Sequence, residues 1–370
     1  MTCDYLSLAL PGVQQLSPYV PGKPVDELAR ELGLRAADIV KLASNENPLG
    51  PSPAALEAIQ AALPDLTRYP DGNGFVLKQA LAAHYGVDMD MLVLGNGSND
   101  ILELLARAFV TPEDDVLFSA HAFAVYPLVT QAIGARPVVV PARDWGHDLA
   151  AMAAAITPAT KLIFIANPNN PTGTWVERNE LDTFLAQVPE QVLVVLDEAY
   201  TEYVTDAGFP NGLDYLRQYP NVIVSRTFSK AYGLAALRIG FAVCQPVIAD
   251  VLNRVRQPFN ANSLALAAAT AALGDSEYLH TSRTINQQGM AQIEAGLSKM
   301  GLGWIPSRGN FIAVDLGRDA GPVYQALLRT GVIVRPVAGY GMPQHLRVSI
   351  GVAEENQRFL LALEQVLAGE

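Results

Sequence analysis

From Met91 to Val243 the chain repeats one pattern: a short run of apolar residues, a cluster of Gly, Asn, Asp or Pro, then a longer stretch whose apolar positions recur every three or four residues. Continuous short runs suit buried strands, and the three-to-four recurrence suits helices packed over them. Strands are therefore predicted near 91–94, 115–118, 136–140, 161–166, 192–197, 221–225 and 239–243. Alternating with helices, they imply a mostly parallel sheet covered on both faces. After a long helical region, about 263–300, shorter strands are predicted at Asn310–Leu316, Val332–Pro336 and His345–Ile350, again alternating with helices. Upstream, Val25–Leu32 and Phe75–Tyr85 read as helices, and Ser52 as the N-cap of another that follows a short strand at Lys41. Prolines 11, 18, 21 and 24 with glycines 12 and 22 exclude regular structure from the arm between them.

The expected fold class is α/β. A large domain with a seven-stranded, mostly parallel sheet spans 45–262, and a connecting helix with a smaller α/β domain spans 263–370. Residues 1–44 form an arm and part of the smaller domain. With 370 residues, 50% of them hydrophobic, the chain can bury cores of this size. No apolar run reaches the roughly 18 to 20 residues of a membrane helix. The first ten residues carry Asp4 rather than a basic flank, so the chain reads as cytoplasmic. A net charge of -12 opposes binding to nucleic acid or to an anionic membrane. Cys3 and Cys244 make no framework, the latter reading as a small buried apolar residue, and the five scattered histidines give no metal spacing.

An acidic protein that binds an anion must use local cations and backbone amides. In Thr227-Phe228-Ser229-Lys230, followed by Arg238, a lysine able to condense with an aldehyde stands among two hydroxyls and a guanidinium able to grip a phosphate. The candidate cofactor is pyridoxal 5'-phosphate (PLP). Gly95-Asn96-Gly97-Ser98-Asn99 turns from a strand into a helix, where the free amides of Ser98 and Asn99 can face an anion. Asp197-Glu198-Ala199-Tyr200 stands at the carboxyl end of the unbroken apolar strand Val192–Leu196, the edge where open α/β sheets bind ligands. Arg335 and Arg347 lie inside otherwise apolar strands, and a buried guanidinium needs an anionic partner, either a ligand or a structural salt bridge.

The run S-K-x-x-x-L-x-x-L-R-x-G beginning at Ser229 resembles the attachment segment of fold-type I PLP aminotransferases, classes I and II, and the other motifs follow in that family's order from Tyr19 to Arg347. The resemblance implies the following roles. Lys230 carries PLP, and Asp197 pairs with the pyridine nitrogen so that the ring accepts electrons. Tyr200 and Asn170, the latter in the rigid turn N-P-N-N-P-T-G, bond the phenolic oxygen. Phe123 stacks on the ring, where many relatives have tyrosine. Arg347 makes the bidentate anion contact that guanidinium geometry favours, with Arg335 as a second anion site. Tyr19 of the arm touches substrate. Tyr69 in R-Y-P-D-G reaches the PLP phosphate of a partner subunit, which implies a homodimer.

Within the family, N-E-N-P-x-G-P-S-P from Asn45, which as local chemistry is only a loop, looks most like the histidinol-phosphate aminotransferases, as do the arm, R-Y-P-D-G and the two arginines. That subgroup exchanges nitrogen between histidinol phosphate and 2-oxoglutarate in histidine biosynthesis. Small-molecule partners, an amino donor and a 2-oxo acid acceptor, are implied. Aromatic amino-acid aminotransferases and threonine-phosphate decarboxylases share the scaffold, which by itself does not separate them. A PLP-binding regulatory protein without turnover is the remaining class, and the chain has no basic face or DNA-binding extension to suggest it.

Overall fold

The computed structural model describes residues 3–19 and 21–369. Met1, Thr2, Val20 and Glu370, which the expected segments and the arm include, lie outside the described residues. A short strand β1 (Val40–Lys41) precedes β2 (Leu92–Gly95), β3 (Asp115–Ser119), β4 (Arg136–Val140), β5 (Thr160–Ala166), β6 (Leu193–Asp197), β7 (Val222–Thr227) and β8 (Gly240–Val243). These are followed by β9 (Gly303–Ile305), β10 (Phe311–Asp315), β11 (Val332–Ile333), β12 (Arg335–Pro336) and β13 (His345–Ser349).

Seven strands form the main sheet in the order β2-β8-β7-β6-β5-β3-β4. All neighbours are parallel except that β8 runs against both β2 and β7. The apolar runs are continuous because each face of the sheet meets its own core. Ile163, Ile165, Val194, Leu196, Val222 and Val224 pack on one side with Leu181, Phe184, Ala265 and Ala268 of the helices Arg178–Leu185 and Ser263–Leu273. Their alternates Leu162, Phe164, Leu193, Val195 and Ile223 pack on the other with Ile101, Leu105 and Leu252 of Ser98–Phe109 and Pro246–Val255. Each fully buried side chain of this size contributes about 1.5–3 kcal/mol. Cys244 is buried there too, and burial pushes its thiol up to about 12.

A second sheet, antiparallel in the order β12-β13-β10-β9, packs Ile312, Val314, Leu346 and Val348 against Ile293 and Leu297 of the helix Ser276–Lys299 and Phe359 and Leu363 of Ala353–Ala368. Val40 and Leu42 join this core, and β1 pairs in parallel with β11. The beginning of the chain is thereby woven into the smaller unit.

Several local features differ from expectation. The helical region near 263–300 is two helices, because the Asp275 side chain accepts from the Tyr278 amide and starts the second after Gly274. The stretch 332–336 divides, β11 pairing with β1 and β12 with β13. The arm holds a one-turn helix, Pro11–Gln14, since proline is tolerated at a first helical turn. Among the described residues no helix is long and apolar enough to cross a membrane.

Candidate active site

β3, β5, β6 and β7 end at one edge of the main sheet, and the loops that follow them meet β12, β13 and the segment after β1. Between them lies a cavity of about 200 Å³. Its lining holds Tyr19, Ser98, Asn99, Phe123, Asn170, Asp197, Tyr200, Thr227, Ser229, Lys230, Arg238, Arg335 and Arg347. Tyr69 is the one expected site residue outside it. That side chain is 82% exposed and stacks on Phe259 with ring centroids 4.8 Å apart.

Lys230 follows β7, and its Nζ donates to the Ser44 carbonyl at 3.1 Å and lies 5.8 Å from the Tyr200 ring centroid. Burial, reinforced by the Arg347 and Arg238 guanidiniums against the opposing pull of Glu46, pushes the amine down to about 7. Asp197, the last residue of β6, accepts from the Tyr126 hydroxyl at Oδ2 (2.9 Å), while its buried Oδ1 has no partner. Burial pushes this carboxyl up to about 6, partly offset by the Tyr126 bond. Tyr200 accepts from Asn45 Nδ2 at 2.9 Å, and burial holds its hydroxyl up at about 12.

Gly97, in the left-handed region at φ 81, lets the chain turn from β2 into the helix Ser98–Phe109, whose first residues are Ser98 and Asn99. A Cβ at Gly97 would collide with the Arg238 guanidinium, and one at Gly240 with the Ser98 amide. Arg238 also bonds Ser229 Oγ at 3.4 Å, and the Ser229 amide donates to Thr227 Oγ1 at 3.1 Å. Amides, hydroxyls and a guanidinium thus converge where side chains larger than hydrogen have been kept out, a composition suited to a phosphate.

On the opposite wall, Arg347 donates from Nη1 to Asn170 Oδ1 (2.5 Å) and from Nη2 to the Ala43 carbonyl (2.7 Å). Its Nε is buried without a partner, and among the described residues no carboxylate pairs with it. Burial lowers its affinity for the proton from the ordinary value, yet a guanidinium stays charged. Arg335 stands opposite Arg347 in the β12–β13 pairing and lies 5.4 Å from the Tyr19 ring centroid.

Two polar residues of the site escape the sequence reading. Asn45 anchors Tyr200, with its own amide donating to Ser349 Oγ (2.8 Å) and its carbonyl accepting from Asn310 (3.0 Å). It sits at φ 54, a conformation asparagine tolerates, and its position in an Asn/Pro cluster is the only sign of it. Tyr126 is hidden in the apolar stripe of the helix Val125–Ile133, and nothing in its sequence context marks it. The residues fit PLP: the orphaned Asp197 Oδ1 suits a protonated ring nitrogen, the glycine-lined cradle suits the phosphate, and Lys230 supplies the amine.

A family model described as aminotransferase class I and II matches residues 37–363. Histidinol-phosphate aminotransferase 2 of Pseudomonas fluorescens is 67% identical over 368 residues, 100% of both chains. The protein of the same name from Pseudomonas aeruginosa is 68% identical over 365 residues, 99% of each. Among solved structures, histidinol-phosphate aminotransferase from Sinorhizobium meliloti in complex with pyridoxal-5'-phosphate superposes with a TM-score of 0.89 at 33% identity, covering 97% of each chain. A double mutant of aspartate aminotransferase from Thermus thermophilus shares the fold, with a TM-score of 0.84 at 24% identity over 96% of this chain and 98% of that one.

Proposed function

The chain belongs to the class I and II aminotransferases, and from that premise we propose that it exchanges an amino group between histidinol phosphate and 2-oxoglutarate with PLP as cofactor, a step of histidine biosynthesis. The observation that carries the choice of substrate is the presence of two guanidiniums, Arg335 and Arg347, in one cavity with Lys230. A phosphate monoester and a dicarboxylate are dianions of similar reach, and one pair of arginines serves both. Near-complete identity of length with relatives named for this reaction supports the reading.

When bound, PLP supplies an aldehyde to carry the amino group and a ring that draws electrons from the substrate carbon. The Ser98 and Asn99 amides, the Thr227 and Ser229 hydroxyls and Arg238 hold its phosphate. Asp197 Oδ1 keeps a proton on the ring nitrogen, and Tyr200 with Asn170 orients the ring oxygen. Phe123, edge-on to Tyr126 at 5.9 Å, provides an apolar face for the ring. Lys230, its amine held near neutrality, would hold the aldehyde covalently and, once the substrate's amine has displaced it, would move the proton at the substrate carbon. Arg347 and Arg335 bind the substrate's anionic groups, with Tyr19 closing the mouth.

The same reading makes the active form a homodimer in which Tyr69 serves the partner's cavity, supported by its exposure and its absence from its own. It places the enzyme in the cytoplasm and divides the chain into an arm with part of the smaller domain (1–44), a PLP domain (45–262) and a connecting helix with the smaller domain (263–370); the separate core of the smaller sheet supports two units, while Ser263–Leu273 packs with the core of the main sheet. A steady-state panel of histidinol phosphate, phenylalanine, tyrosine and aspartate with 2-oxoglutarate tests the proposal. Histidinol phosphate should give the highest kcat/KM. Preference for phenylalanine points instead to an aromatic aminotransferase, carbon dioxide release from added threonine phosphate to a decarboxylase of that compound, and silence on every one of these to a regulatory protein.

A further inference from the structure

Tyr126 is fully buried, stacks on Phe164 of β5 with centroids 4.5 Å apart and planes 4° apart, and lies edge-on to Phe123. Its hydroxyl is the only side-chain donor to Asp197 among the described residues. Other groups facing that carboxylate are the Ala199 amide, Lys230 and Glu198. Glu198 is itself taken up by Arg226 at 2.7 Å and the Gly212 amide at 2.6 Å. One phenol therefore touches both the ring and the carboxylate that flank the place proposed for the pyridine.

We infer that Tyr126 is a positioning residue for Asp197: it fixes Oδ2, leaves Oδ1 to the cavity, and holds the carboxylate in its ionised form. This rests on the proposed role of Asp197 as the pyridine partner. The physical need is plain, because a carboxylate buried this deeply tends to take up a proton, and a protonated Asp197 cannot hold one on the ring nitrogen. A phenol hydrogen bond favours the anion, and the face-to-face stack on Phe164 prevents the hydroxyl from turning away. Burial beside Asp197 pushes the Tyr126 hydroxyl well above its ordinary value, so it remains a donor.

The test is Tyr126→Phe, which keeps the ring and its packing. In protein stripped of cofactor, Asp197 is titrated by carboxyl-region difference infrared spectroscopy, with Asp197→Asn as the blank. The midpoint should rise by about one pH unit. In the holoenzyme kcat should fall about ten- to a hundredfold with KM held within about threefold, and PLP should bind more weakly near pH 6 than near pH 8. An unmoved midpoint, or a loss seen only in the melting temperature, makes Tyr126 a packing residue and overturns the inference. Should the variant fail to fold, 3-fluorotyrosine at 126 donates more strongly and must lower the same midpoint; no movement is again fatal. Because the titration uses cofactor-free protein, it is independent of the substrate assignment, and failure of histidinol phosphate to react would overturn that assignment alone.

Discussion

Lys230 is a base near neutrality because it is buried among guanidiniums, and a pH dependence follows. Its charged form is the one disfavoured, so the free amine is gained as pH rises through about 7 and lost below it. In cofactor-free protein the rate of PLP capture, followed by absorbance, should be nearly flat above pH 8 and fall about tenfold per unit below pH 6.5. A rate still climbing steeply from pH 8 to 10 would mean an ordinary lysine. Asp197→Asn should lower kcat far more than it raises KM, since a neutral amide does not favour the protonated ring. If kcat stays within about threefold, under roughly 0.7 kcal/mol of barrier, Asp197 has another role. That Lys230, Asp197, Asn170 and Arg347 belong to one site was expected from the family resemblance of the runs they sit in, and all four line the cavity. Asn45 and Tyr126 were not legible as site residues, because their roles come from hydrogen bonds across 155 and 71 positions of chain.

At the level of elements, the cradle proposed for the phosphate depends on how one strand becomes one helix. β2 ends at Gly95, and the left-handed Gly97 delivers Ser98 and Asn99 as the first helical residues. Gly97→Ala adds a Cβ against Arg238 at a positive φ, costing on the order of 1–3 kcal/mol. PLP affinity, measured by fluorescence quenching, should weaken at least about tenfold. Native affinity in that variant would remove Gly97 and Arg238 from the cradle. The sheet strands were legible since burial on both faces leaves an unbroken apolar run, as in β6. The helix start at Ser98 was harder: Ser98-Asn99-Asp100 is polar, so the apolar recurrence begins only at Ile101. β9 is three residues long, too short to show alternation. The break at Gly274 depends on one capping aspartate within otherwise continuous helical composition.

At the scale of the whole molecule, two cores meet across one cavity, and each contributes what the other lacks. The main sheet brings Lys230, Asp197 and the phosphate cradle; the smaller sheet brings Arg335 and Arg347. Assembly adds a further condition. If Tyr69 serves a partner's cavity, Tyr69→Phe and Lys230→Ala, each severely impaired alone, should regain activity on mixing, because a hybrid dimer holds one cavity with both native residues. No recovery despite proven subunit exchange would confine Tyr69 to its own subunit or to none. The central claim, amino transfer from a phosphorylated donor gripped by paired arginines, meets its most direct test in single turnover without acceptor, following cofactor absorbance for wild type and Arg335→Leu on histidinol phosphate and on phenylalanine. A charge-assisted contact contributes on the order of 1.5–3 kcal/mol, so Arg335→Leu should lose roughly ten- to a hundredfold on histidinol phosphate and little on phenylalanine, with wild type preferring the phosphorylated donor. Equal losses on both donors, or a wild-type preference for phenylalanine, would contradict it.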